Sequence, residues 1–312
     1  MADYYKSDYC SIAFKKEGSY NETPTQGAQT VWFGVVPKAD LDHYFEFHDW
    51  RTINQDRDLF VEAQGKFVTE GSIPIEMQNG RMIYYAMGSE SYASPTHTIT
   101  GGRTIPSMCI EVEYKGTNKF MRYFGGTKVD SLTLNVNEEG AVDAQVSWKG
   151  AKVTKGSGTS STISAVSTKP FMYHQTSMTI GGYAFNITNW KWSVKNTLKP
   201  IYTCKTTDGQ YITNLVEGKR EYEITATTMI EDTATYNTYV YDNMITGANI
   251  TVIGSIIRTA STDQMILTAS NCTIRKAPHN LPDVGEPISV EITLVPRTCT
   301  WVIADALPAY AS

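Results

Sequence analysis

Residues 129–148 read VDSLTLNVNEEGAVDAQVSW. Leu132, Leu134 and Val136 fall on one side of the first run, and Ser131, Thr133 and Asn135 on the other. Val142, Ala144, Val146 and Trp148 alternate in the same way with Asp143, Gln145, Ser147 and Lys149. A period of two belongs to a strand with one face in a core and the other toward solvent or a partner. NEEG between the runs supplies a turn, with Gly140 free to take a positive φ. The segment is a β-hairpin, and it carries no catalytic group.

The same alternation recurs in SIPIEM (72–77), CIEVEY (109–114), YEITATTMI (222–230), ITVIGSII (250–257) and ISVEITLV (288–295). No long segment holds a clean helical period. GRMIYYAMG (80–88) reads as one short helix or as a further strand. The chain is therefore expected to be all-β. Its 312 residues, 41% hydrophobic and 19% charged, suffice for one large or two ordinary domains. The formal charge of −5 argues against tight binding to a nucleic-acid backbone or an anionic membrane surface. MADYYKSDYC lacks the apolar stretch of a signal peptide, and the run near 244–257 is too interrupted to span a bilayer. A soluble protein made in a cytoplasm is the expectation.

Motifs for chemistry are missing. Five scattered cysteines (Cys10, Cys109, Cys204, Cys272, Cys299) form no CxxC pair and read as buried, inert thiols. DHYFEFHDW (42–50) gathers His43, His48, Asp42, Glu46 and Asp49, but a regular strand would aim the two histidines at opposite faces. A half-buried strand with a charged face explains it better than a metal site. His97, His174 and His279 have no nucleophile motif beside them. GGTK (125–128) is a turn candidate, not a phosphate cradle. NWKWSV (189–194) puts Trp190, Trp192 and Val194 on one face, which suits a core or subunit contact more than a sugar platform. The sequons at Asn21, Asn186, Asn249 and Asn271 are expected by chance in a Thr-rich chain. No catalytic residue, cofactor or metal ligand is assigned, and an enzyme is not expected.

KGSGTSSTISAVSTK (155–169), followed by Pro170, reads as a linker or a long exposed loop that divides the chain nearly in half. A weak repeat lies across it. Glu70-Gly71 recurs as Glu217-Gly218, and the same spacing brings Glu76 to Glu223, Gly34 to Gly181, and His43, Phe45 and Phe47 to Trp190, Trp192 and Val194. Near the end the spacing shortens by one, and Val142, Ala144, Val146 and Trp148 meet Ile288, Val290, Ile292 and Leu294. The expected layout is an N-terminal arm (1–27), a β domain (28–155), a linker (156–170), a second β domain (171–302) and a C-terminal tail (303–312).

FVEAQGKFVTEGSIPIEMQNGRMIYYAMGS (60–89) and FGGTKVDSLTLNVNEEGAVDAQVSWKGAKV (124–153) resemble the major tail tube proteins of tailed phages and tailed archaeal viruses. KKEGSYNETPTQGAQTVWFGVV (15–36) is similar to that family's N-terminal segment. The resemblance covers most of residues 15–155, and the second half joins it only through the repeat. It implies two tandem tail-tube-like β-sandwich or barrel domains, formed by internal duplication. In that family sheets join side by side into a six-fold ring, rings stack, and the genome passes through the lumen into the host. Three two-domain chains would supply six domains, which implies a trimeric, pseudo-hexameric ring. A homohexamer with one domain at the lumen is the alternative.

The resemblance also implies partners. They are further copies of the chain, tail terminator, tape measure and baseplate or tip proteins, and a sheath where the tail has one. DNA would pass without specific binding, and no membrane is involved. The place is the virion tail, assembled in the host cytoplasm. Asp130, Glu138, Glu139 and Asp143, on the polar side of the hairpin, are the lumen-lining candidates. DNA carries a charge about every 1.7 Å, so acidic and small polar groups would let it slide where Lys and Arg would grip. An ordinary solvated outer face is the other reading of those four residues. The long polar loops expected at 88–106 and 155–170, and both termini, are candidates for contacts between rings. The competing function is a virion or cell-surface β-sandwich adhesin that binds glycan through Trp- and Tyr-rich surfaces.

Overall fold

The computed structural model describes residues 10–50, 61–115, 119–156, 160–258, 261–278 and 288–311. The first half contributes β1 (Cys10–Lys16), β2 (Val31–Trp32), β3 (Asp40–Trp50), β4 (Val61–Glu76), helix α1 (Arg81–Met87), β5 (Gly88–Ala93), β6 (Thr96–Gly101), β7 (Met108–Tyr114), β8 (Phe120–Val136), β9 (Asp143–Lys149) and β10 (Lys152–Gly156). The second half begins with β11 (Thr176–Ile180), β12 (Tyr183–Ala184), β13 (Ile187–Lys195), β14 (Lys199–Ile201), β15 (Asn214–Val216) and β16 (Glu221–Met229). Helices α2 (Thr233–Tyr236) and α3 (Asp242–Thr246) flank one π-helical turn, and β17 (Ile250–Ile257), β18 (Gln264–Lys276), β19 (Ser289–Val295) and β20 (Thr298–Ala304) follow.

The protein is all-β, as the alternation requires. The hairpin at 129–148 forms as read: Leu132, Leu134, Val136, Val142, Ala144, Val146 and Trp148 are buried, and β8 pairs antiparallel with β9. Its turn closes through the Gly140 amide on the Asn137 carbonyl (3.5 Å), and Gly140 does not take a positive φ. GGTK is no turn. It lies inside β8, where Gly126 at φ 61° bends the strand so that it serves two sheets in succession. GRMIYYAMG is helical over Arg81–Met87. The helix is buried from Met82 to Met87 and stops at Gly88, whose φ of 95° an L side chain resists.

Pairing builds one sheet across the whole chain, in the order β3-β4-β9-β8-β13-β16-β19-β18. The halves meet in its middle, where Leu132, Leu134 and Val136 of β8 face Val194, Trp192 and Trp190 of β13. A second sheet runs β11-β17-β18-β20-β6-β5, so its halves meet where β20 pairs with β6. A third, β2-β1-β7-β8-β10, lies in the first half alone. The two halves share one apolar core around Trp148, Trp192 and Trp301, with Trp192 and Trp301 edge to face at 5.2 Å.

The order of strands repeats. The first half has β3-β4-β9-β8 over β1-β7-β8-β10, and the second has β13-β16-β19-β18 over β11-β17-β18-β20. The constant residue offset does not survive in the pairing. Ile75 pairs with Ala144, but their offset counterparts Tyr222 and Val290 are not partners, since Val290 pairs with Thr228. Thr228 lies an even number of residues from Tyr222, so inward and outward faces stay matched.

Other expectations need correction. The arm expected at 1–27 contains β1, in which Ala13 and Phe14 are buried against the core; residues 1–9 lie outside the described residues. The polar stretch 88–106 is no loop, because β5 and β6 form a hairpin tied to β20. The linker expected at 156–170 is not loose over its described residues 160–170. Ser160 and Ser161 donate to Glu113 (2.5 Å) and Glu111 (2.8 Å), carboxylates otherwise buried on β7, and Ser164 bridges Val31. The C-terminal tail is docked, with Tyr310 buried.

Candidate functional site

The long sheet has an apolar face in the core and a polar face outside it. Cross-strand rows on the polar face run from one half into the other. One reads Pro74, Gln145, Thr133, Ser193, Glu223. The next reads Glu76, Asp143, Asn135, Lys191, Thr225, Thr293. Small hydroxyls and amides dominate both rows, and carboxylates outnumber the one lysine.

The four hairpin charges separate on this frame. Asp143 belongs to the second row and accepts a hydrogen bond from Asn135 Nδ2 (2.8 Å). Glu138 and Glu139 stand exposed in the turn at the end of the sheet. Asp130 is tied into the junction between halves: its Oδ1 accepts from the Leu198 amide (2.7 Å), its carbonyl from the Asn196 amide (2.7 Å), and Lys149 Nζ lies 3.7 Å from Oδ2.

The bulge beside the DHYFEFHDW strand lies in β4, where Phe67 to Gln64 spans three residues against two from Phe45 to Phe47, so β3 keeps its alternation and His43 and His48 point to opposite faces. They do not converge with acids, and among the described residues no group of His, Cys, Asp and Glu could hold a metal. Among the described strands β3 is instead a bare edge. Tyr44, Phe47 and Trp50 are about half exposed, at 49%, 53% and 50%. By contrast Trp190, Trp192 and Val194 of β13 are buried because β8 covers that edge.

Two interactions were invisible in the sequence. His97 is fully buried, with Nδ1 2.7 Å from Glu90 and Nε2 3.1 Å from Asp305, and it stacks on Tyr310 at 3.9 Å. Burial and the Asp305 carboxylate push the Tyr310 phenol well above its ordinary pKa. The backbone amides of Tyr310 and Ala311 donate to Glu90 (2.9 and 2.7 Å), so the cluster clasps the C-terminal tail to the β5–β6 hairpin. Asn196 is the second. No motif marks either one, since their partners come from distant parts of the chain. Three of the thiols are buried as read, and burial pushes Cys109 and Cys299 up to about 12 and Cys272 to about 11, far from a reactive thiolate, whereas Cys10 is half-buried and Cys204 is exposed. Among the described residues no helix is long and apolar enough to cross a membrane.

Among the described strands the polar-faced sheet continues from one half into the other and ends on β3 and on the last residues of β18. The family comparison gives the class: the phage tail tube protein model matches residues 10–294, and the chain belongs to that family. It is therefore a tube-forming structural protein and a virion component. Among solved structures, Hcp1 from Flavobacterium johnsoniae is similar at 15% identity and a TM-score of 0.27, covering 42% of this chain and 99% of that one. No curated protein matches the chain.

Proposed function

We propose that this chain is the repeating subunit of a tail tube, in which three copies close a pseudo-hexameric ring, rings stack, and viral DNA passes through the bore into the host. The junction inside the chain carries the reading. Two halves of like strand order already stand side by side and share the long sheet through β8 and β13. That is the contact a ring repeats, and an open edge that would otherwise pair at random becomes the assembly contact. The polar face of the long sheet lines the bore. In the two rows described, Lys191 stands against the carboxylates of Glu76, Asp143 and Glu223, which offers phosphates little to hold, since affinity for DNA grows with the number of Lys and Arg contacts. Tail terminator, tape measure and tip proteins meet the ends of such a tube.

Electron microscopy of purified protein, with mass measurement of single rings, tests this. Rings or tubes of uniform width containing three chains per ring are expected. A protein that remains monomeric at high concentration overturns the tube, and six chains per ring overturn the trimer.

A further inference from the structure

Among the described residues both ends of the long sheet are bare. At one end β3 pairs with β4 alone among the described strands. At the other, Cys272 of β18 still pairs with Ile250, but Thr273, Ile274 and Lys276 have only β19 beside them. These two edges are counterparts of the two that meet inside the chain. β13 occupies in the second half the place of β3 in the first, and the end of β18 occupies the place of the end of β8. The inner junction is thus a template for an outer one.

The charges on the four edges are not copies of each other. β3 carries Asp40, Asp42, Glu46 and Asp49 and no Lys or Arg. The free end of β18 carries Arg275 and Lys276 and no acid. At the inner junction the signs are reversed: β13 has Lys191 and Lys195 without an acid, while β8 from Val129 to Val136 has Asp130 without a base. Acidic β3 therefore suits β18, and basic β13 suits β8. The inner pair is already closed within each chain, so the competing contacts are β3 with β3 and β18 with β18, and each would set like charges side by side.

We propose that the end of β18 pairs with β3 of a second copy of this chain, and that the opposite charges of these two edges make the copies join head to tail around the ring. This rests on the tube reading and names its contact. The template gives more detail. The strands β14 and β15 extend the β13–β16 hairpin over the first half, where Tyr202 Oη donates to the Phe67 carbonyl (3.0 Å) and Tyr211 packs on Phe67 at 5.2 Å. The β3–β4 hairpin holds the corresponding place, and its exposed Phe47 and Trp50 would lie against the neighbouring copy's second half. That accounts for large aromatics left bare on an edge strand.

Charge reversal tests the pairing. Asp42→Lys with Glu46→Lys puts bases on β3, and Arg275→Glu with Lys276→Glu puts acids on β18. All four side chains are exposed, so each pair of changes is expected to keep the wild-type melting curve. Either pair alone should lower the yield of rings roughly tenfold or more, and all four together should restore it, because like charges face each other in the first two proteins and opposite charges in the third. Rings formed at wild-type yield by either double variant overturn the β18–β3 contact and leave the tube reading standing. A folded quadruple variant that fails to recover also overturns it. A wild-type chain that makes no rings at all overturns the tube reading itself.

Discussion

A methyl group added to Gly71 would press into the Asp40 carbonyl and lie 2.7 Å from the Trp148 ring. The strand cannot step aside, because Gly71 is paired with Leu41 on one side and Trp148 on the other. At Gly218 the same methyl would come within 2.6 Å of the Thr197 carbonyl. Gly71→Ala is expected to cost about 1–3 kcal/mol, read as a lower urea midpoint with an unchanged slope; a wild-type midpoint would mean that the two neighbours yield. The repeated Glu-Gly pair was visible in the sequence, but the backbone crowding that demands glycine was not. Beside Gly218, Glu217 makes a second prediction. Burial raises its carboxyl pKa, but Lys128 Nζ at 2.8 Å and the Ile105 amide at 3.1 Å outweigh burial and hold it below its ordinary value. A carboxyl held low in the folded state stabilises fully above its unfolded value and loses that contribution as pH falls through the depressed one. Glu217→Gln should therefore destabilise by about 1 kcal/mol near pH 7. The difference should shrink as the pH drops below the free glutamate value of about 4.3. Unfolding curves across that range decide it, and a gap that widens in acid refutes the assignment.

Strands and their faces could be read from alternation, because burial of one side imposes the period directly. Which strand lies beside which could not. Nothing in VDSLTLNV says that its free edge is closed by NWKWSV, since both have the same alternation and the partner is chosen by the tertiary fold. The same limit made the 88–106 hairpin look like a loop: its polar residues alternate too weakly, and its partner β20 lies some 200 residues away. Where elements meet, one side chain does much of the joining. Asn196, at the end of β13, is buried and donates through Nδ2 to the carbonyls of Ala86 in α1 and Val129 in β8, both at 3.0 Å. Its Oδ1 accepts from Arg220 Nε at 3.1 Å, and Arg220 goes on to the Gly102 carbonyl at 2.8 Å. Asn196→Ala strands two buried carbonyls and loosens the guanidinium, so a loss of about 2–4 kcal/mol is expected. The fall should appear in one cooperative transition, because the halves share a core. Two separate transitions in the variant would show that Asn196 couples the halves, while an unchanged melt would show that water replaces it.

For the molecule as a whole, the open matter in the sequence was which way the polar side of the hairpin faces. It now belongs to a sheet that crosses both halves, and the four candidate charges divide by position. Asp143 sits in mid-sheet with Glu76, Asn135 and Lys191 across the strands, whereas Glu139 stands at the turn and Asp130 is bound into the junction. If the face lines a bore, charge there acts on a passing polyanion and not on neighbouring subunits. Asp143→Lys gives up one hydrogen bond, from Asn135, and Glu139→Lys gives up none. Both variants are expected to form tubes of unchanged width, since neither side chain reaches a sheet edge. Each new lysine adds a phosphate contact in every ring, and the effect multiplies along the tube, so DNA delivery should slow and should recover at raised salt as counterions compete. Asp130→Lys is the contrast. It should weaken the monomer itself, because the Leu198 amide would lose its acceptor. Infection or DNA-release assays at two salt concentrations, beside images of the tubes, separate these outcomes. Asp143→Lys or Glu139→Lys tubes that deliver DNA at the wild-type rate would place the polar face outside the bore, and loss of tubes would place it at an interface.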